Sequence, residues 1–195
     1  MGKNRLEAFS DGVLAIIITI MVLELKVPHD PSPAALLKLL PVFLSYVLSF
    51  LYVGIYWINH HHLLHTVSHV SAGVLWANLH LLFWLSLLPF AAGWTGENHF
   101  AALPSAVYGG VLLMAAVAYT VLQIAIVASH GKHSVLAQAL GRDVKGKASL
   151  IIYAVAIPIA MLYPWVANGL YVLVALIWLL PDRRIERQLV GDKKH

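Results

Sequence analysis

Phe9-Ser10-Asp11-Gly12-Val13-Leu14-Ala15-Ile16-Ile17-Ile18-Thr19-Ile20-Met21-Val22-Leu23-Glu24-Leu25 is a near-continuous apolar run whose only charges, Asp11 and Glu24, stand near its two ends. A run of this length suits a bilayer crossing, and backbone in hydrocarbon must satisfy its own polar groups, which a helix does. The rest of the chain agrees. Of 195 residues, 60% are hydrophobic and 11% charged, against roughly 25% charged in a soluble domain. The expectation is an all-α, polytopic membrane protein.

Six apolar stretches follow, at about 8–26, 36–59, 72–94, 103–129, 147–164 and 166–181. The last two are short and are separated by Tyr163-Pro164-Trp165 through Asn168-Gly169, a turn of aromatic and helix-breaking residues. With six spans, Lys3, Arg5, Lys132, Arg142, Lys145, Lys147, Arg183, Arg184, Arg187, Lys193 and Lys194 all fall on one side, leaving Lys26 and Lys38 for the other. The positive-inside rule then puts both termini in the cytoplasm. The first stretch reads as a retained helix, since Asp11 lies in its approach and no small-residue cleavage site precedes Lys26-Val27-Pro28. Residues 1–195 read as a single six-span domain, and basic residues distributed in this way point to a membrane and to no nucleic acid.

At about 100° per residue, Ile16, Thr19, Ile20 and Leu23 share one stripe of the first helix. Were symmetric copies to meet on an axis, Ile16, Ile20 and Leu23 would stack as hydrophobic rings able to gate by dewetting, with Thr19 adding a ring of hydroxyls. The same stripe equally suits helix packing or lipid contact. Asp11 lies about 130° from the stripe's centre and so points towards its own bundle, where Trp57, Asn59, His60, His61, Asn78, His80 and Ser86 are candidate partners. Arg5 faces another direction and joins a different part of such a network.

No other carboxylate falls inside a span, there is no cysteine, and neither a phosphate loop nor a paired-carboxylate constellation is present. An enzyme is therefore not expected. Of eleven histidines, His60, His61, His62, His65, His69 and His80 cluster. Helical spacing would set His62, His65 and His69 on one face, the spacing of a zinc or copper site, but no carboxylate or thiolate completes it. The alternative is an interfacial turn with His60 or His61 hydrogen-bonded in the bundle, and no metal or cofactor is expected.

Arg5-x-x-x-Phe9-Ser10-Asp11, Trp57-x-x-His60-His61, and Asn78 followed by Ser86-x-x-Pro89-Phe90 together resemble the signature segments of the transmembrane protein 175 family, potassium-permeable channels. The resemblance implies a six-span subunit of the prokaryotic kind in the plasma membrane, assembled as a homotetramer around one pore lined by the first helix. By position, Ile16, Ile20 and Leu23 match the family's constriction and Thr19 its hydroxyl layer. Arg5, Phe9, Ser10, Asp11, Trp57, His60, His61 and Asn78 match its structural network. His62 extends the usual histidine pair, which leaves open which two occupy that network. The implied function is a potassium-preferring cation channel, with potassium and other monovalent cations as permeant species, closed by hydrophobic rings and lacking a carbonyl filter. The alternative is a proton-coupled secondary transporter using membrane histidines.

Overall fold

A computed structural model describes residues 2–130 and 143–179. Within them α1 spans Lys3–Met21 and continues into a 3-10 turn, Val22–Glu24; α2 is Pro33–Lys38, α3 Leu40–His65, α4 Ala72–Ser86, α5 Leu88–Glu97, α6 Ala102–His130, α7 Val144–Leu162 and α8 Pro164–Leu179. Five segments among the described residues are long and apolar enough to cross a bilayer: α1 with its turn, α3, α4 joined to α5, α6 and α7. The shorter, equally apolar α8 follows. The chain is a multi-pass membrane protein. Lys132, Arg142, Arg183, Arg184, Arg187, Lys193 and Lys194 lie outside the described residues, as does the end of the sixth stretch.

Several boundaries differ from those read in the sequence, and prolines account for most of the differences. The stretch 36–59 is two helices with a turn at Leu39, because Pro41 has no N–H to continue the ladder. Ser32 caps the first of them, accepting from Ala35 N at 3.3 Å. At the far end α3 runs on to His65. The stretch 72–94 is likewise two helices, broken at Leu87 two residues before Pro89. Between α7 and α8 the turn is Tyr163 alone: Pro164 opens α8, and Asn168 and Gly169 are inside it.

Helix α6 packs on α4, α5 and α7; α7 packs on α8; α3 packs on α5 and α8; and α1 lies on one flank against α3, α4 and α5. Buried hydroxyls and amides link the helices of this bundle, since hydrocarbon offers polar groups no water. Tyr52 donates to the Tyr171 carbonyl at 2.6 Å and receives from Tyr153 at 3.1 Å. Asn168 Nδ2 donates to Ser105 Oγ at 2.8 Å, and the Tyr171 hydroxyl donates to the Ser105 carbonyl at 3.2 Å.

Lys3 at the start of α1 reaches the His65 carbonyl at the end of α3, and Lys145 at the start of α7 reaches the Ile177 carbonyl at the end of α8. At the opposite end, Lys26 pairs with Glu97 at 2.7 Å. The hydrogen bond and charge of Glu97 hold the Lys26 ammonium above its ordinary pKa.

Small residues let helices approach. A Cβ on Gly96 would stand 2.6 Å from Val42 Cα, which is backbone and cannot rotate away, whereas nothing lies within 4 Å of one on Gly110. Gly96→Ala is expected to cost about 1–3 kcal/mol by overpacking the α3–α5 contact. Gly110→Ala should be neutral or slightly stabilising. Thermal unfolding of the detergent-solubilised protein checks this, and equal melting temperatures for the two variants would contradict it.

Candidate functional site: the first helix and its anchor

Helix α1 is built from β-branched and apolar residues that form a helix because a membrane span permits little else. Leu6, Ser10, Leu14, Ile17 and Met21 recur at helical spacing and are its buried residues. The polar member of that face organises the site. His60 Nε2 lies 2.7 Å from Asn78 Oδ1, Asn78 Nδ2 donates to Ser10 Oγ at 3.0 Å, and Ser10 Oγ donates to the Leu6 carbonyl at 2.9 Å. With Oδ1 as acceptor, His60 must carry its proton on Nε2. The file therefore runs in one direction, from α3 through α4 into α1. All three side chains are buried.

Asp11 lies on the flank of this face, where Trp57 Nε1 donates to its Oδ1 at 3.0 Å. Both residues are exposed in the single chain, so this contact sits at the bundle's edge rather than inside it. Arg5 and Phe9 are exposed as well, and the Arg5 side chain makes no hydrogen bond or ion pair with the described residues. Of the other candidate partners of Asp11, Asn59 donates to the Ile55 carbonyl, His80 accepts from Trp84 Nε1 at 2.9 Å, and Ser86 donates to the Phe83 carbonyl. The structure thus brings together Ser10, His60 and Asn78 in one group and Asp11 with Trp57 in another.

His61 belongs to neither group. Its Nε2 lies 3.1 Å from His65 Nε2, one turn along α3. His62, His65 and His69 do not share a helical face, because α3 ends at His65. His69 instead stacks on His130 at 4.4 Å between ring centroids, and His130 Nε2 accepts from the Ser68 and His69 backbone. Among the described residues no group of three or more His, Cys, Asp or Glu side chains could hold a metal ion.

The remaining face of α1 is bare. Ile16, Ile20 and Leu23 are 57%, 45% and 75% exposed, and Thr19, also exposed, donates its hydroxyl to the Ile16 carbonyl at 2.9 Å. The α-helix ends at Met21, so Leu23 stands on the 3-10 turn, where the 100° spacing used for the stripe no longer applies. Glu24 on the same turn lies over Gly93 of α5, where a Cβ would come 2.9 Å from its Oε2. That seat, the Lys26–Glu97 pair and the His69–His130 stack have no periodic signal in the sequence that would reveal them.

Fold and site together define a multi-pass helical membrane protein whose first helix is pinned on one face and bare on another. The family model described as endosomal/lysosomal potassium channel TMEM175 matches residues 5–89. A Chryseobacterium protein named as a potassium channel is 58% identical over 189 residues, covering 97% of this chain and 98% of that one. The chain belongs to the TMEM175 family.

A zebrafish (Danio rerio) protein named as an endosomal/lysosomal proton channel is 34% identical over 110 residues, covering 50% of this chain and 21% of its own length. Among solved structures, the crystal structure of a lysosomal potassium-selective channel TMEM175 homolog from Chamaesiphon minutus superposes with a TM-score of 0.80 at 28% identity, covering 91% of this chain and 96% of that one. These relatives are channels, not enzymes.

Removing the middle of the file should cost most. Asn78→Leu strands the His60 Nε2–H in the bundle and is expected to destabilise the protein by about 1–3 kcal/mol, whereas Trp57→Phe, at an exposed contact, should cost under about 1 kcal/mol. Unfolding of both variants in detergent tests the ranking. The reverse order would place the main anchor at Asp11 instead.

Proposed function

We propose that the chain is a subunit of a potassium-preferring cation channel in the prokaryotic plasma membrane, with the exposed face of α1 lining the pore. The observation that carries this reading is the division of α1 into two faces. Its buried residues are committed to α3, α4 and α5, while Ile16, Thr19, Ile20 and Leu23 remain uncovered by their own subunit. An isolated apolar face could meet lipid, but membership of a channel family gives it a better occupant: the same face of other copies.

In this reading residues 1–195 form one six-span domain with α8 as the sixth crossing and both termini in the cytoplasm. Lys3, Arg5, Lys145 and Lys147 would lie on the cytoplasmic side, with Lys26 and Lys38 opposite. Four copies assemble as a homotetramer around the axis. Rings of Ile16, Ile20 and Leu23 close the path by excluding water, and the Thr19 layer supplies the hydroxyls that favour potassium. No carbonyl filter takes part. Ser10, His60 and Asn78, with Asp11 and Trp57 at the flank, hold the helix rather than touch the ion, while Arg5 and Phe9 stand exposed beside them and His61 pairs with His65. Potassium is favoured over protons as the main permeant ion because the relative matched along nearly the whole chain is named a potassium channel, whereas the relative named a proton channel is matched over about a fifth of its length.

The test is to record currents from purified protein in planar bilayers under potassium and sodium. Ile20→Ala, which widens a hydrophobic ring, is expected to raise conductance or open probability several-fold, and Thr19→Val should lower the potassium-over-sodium preference. Unchanged conductance and selectivity in both variants would defeat the pore assignment.

A further inference from the structure

The end of α1 remote from His60 is fastened to α5 at two points. Glu24 lies over Gly93, where a Cβ would stand 2.9 Å from its Oε2 and 3.2 Å from its Cγ. Lys26 Nζ donates to Glu97 Oε1 at 2.7 Å. Gly93 and Glu97 are one helical turn apart in α5 and so share a face. Helix α5 is itself firmly seated, because at Gly96 its backbone rests against that of Val42 in α3.

The segment held in this way does not carry the direction of α1 by itself. The α-helix ends at Met21, Val22–Glu24 form a single 3-10 turn, and Leu25 leaves the helical region at ψ 86°. One 3-10 turn has poorer hydrogen-bond geometry than the α-helix before it and a different angle per residue. Leu23 stands in the middle of this turn, exposed, while its neighbour Glu24 is half-buried. The file at Ser10 is roughly 20 Å away along the helix and cannot set where Leu23 points. The seats of Glu24 and Lys26 on α5 can, and the charge of Glu24 reaches Lys26 alongside that of Glu97.

We infer that Glu24, Lys26, Gly93 and Glu97 form a clamp that positions Leu23, so that the last hydrophobic ring of the pore is held by α5 rather than by the helix that carries it. The inference rests on the pore reading and adds positioning residues to it. An exposed ion pair contributes little to folding stability. A gate needs little, because a ring excludes water only when every copy presents the same atoms to the axis. Releasing the clamp lets the four Leu23 side chains spread, which widens the ring and favours the conducting state.

Single-channel potassium currents of the purified protein in planar bilayers test this. Lys26→Gln and Glu97→Gln are each expected to raise open probability by roughly two- to fivefold, the range an exposed ion pair can supply. Gly93→Ala, whose Cβ displaces the Glu24 carboxylate, should act in the same direction. The exchanged pair Lys26→Glu with Glu97→Lys should return open probability towards that of the unaltered protein, a rescue that general loosening of the fold would not give. In a Leu23→Ala background Glu97→Gln should have no further effect. Unchanged open probability in both Lys26→Gln and Glu97→Gln, failure of the exchanged pair to rescue, or an undiminished effect of Glu97→Gln in Leu23→Ala would each overturn the clamp. If Ile20→Ala still alters conductance in that case, only the clamp fails; if Ile20→Ala and Thr19→Val are also silent, the pore reading fails with it.

Discussion

The file of hydrogen bonds from His60 through Asn78 and Ser10 to the Leu6 carbonyl sets the rotation of α1 about its axis. In an apolar bundle a helix of isoleucines and leucines could turn by tens of degrees with little change in packing, because every face is greasy. A buried serine hydroxyl removes that freedom, since each member of the file would otherwise leave a polar group unpaired in hydrocarbon. Leu14, Ile17 and Met21 then extend the buried face up the helix. Once that face is fixed, the opposite one is fixed too, and Ile16, Thr19 and Ile20 stand clear of the subunit. A pore-lining role for these side chains depends on this positional control, because hydrophobic rings gate only when every copy presents the same atoms to the axis.

The other helices supply a rigid backing. Tyrosine hydroxyls, Ser105 and Asn168 link α3, α6, α7 and α8 through paired polar groups, and Gly96 lets α5 close on the backbone of α3. The breaks at Leu39 and Leu87 place helix ends where a continuous rod would have passed. One part of the molecule thus holds the bundle together while another part faces outward.

Hydropathy was enough to read the membrane class and to locate the five long apolar segments among the described residues, because bilayer thickness imposes a length that few soluble segments imitate. The breaks were harder to read. Pro41 and Pro89 were visible in the sequence, but membrane helices often tolerate proline, so its presence does not say whether a helix bends or ends. The turn at Tyr163 was narrower than its neighbours suggested, because Asn168 satisfies itself inside α8 by reaching Pro164 and Ser105. In the site, periodicity singled out the stripe that the structure leaves exposed, and the angle of Asp11 placed it off that stripe. The selection among His60, His61 and His62 was beyond sequence reasoning. Adjacent helical residues differ by about 100° in direction, and only the position of Asn78 on α4 decides that His60 is the one drawn inward. His69 could not be placed for a related reason: nothing local says that α3 stops at His65 and that the next turn is held by a ring from α6.

The central claim, that the bare face of α1 meets the ion path, can be tested at one atom. The chain has no cysteine, so Ile20→Cys introduces a single thiol on that face. Potassium current through the variant in a planar bilayer is measured before and after a charged, water-soluble methanethiosulfonate reagent, with the unaltered protein as reference. The account predicts that the reagent cuts the current of the variant and leaves the reference unchanged. A thiol that reacts only with lipid-soluble maleimides, with current unaffected, would place this face in the lipid and contradict the account.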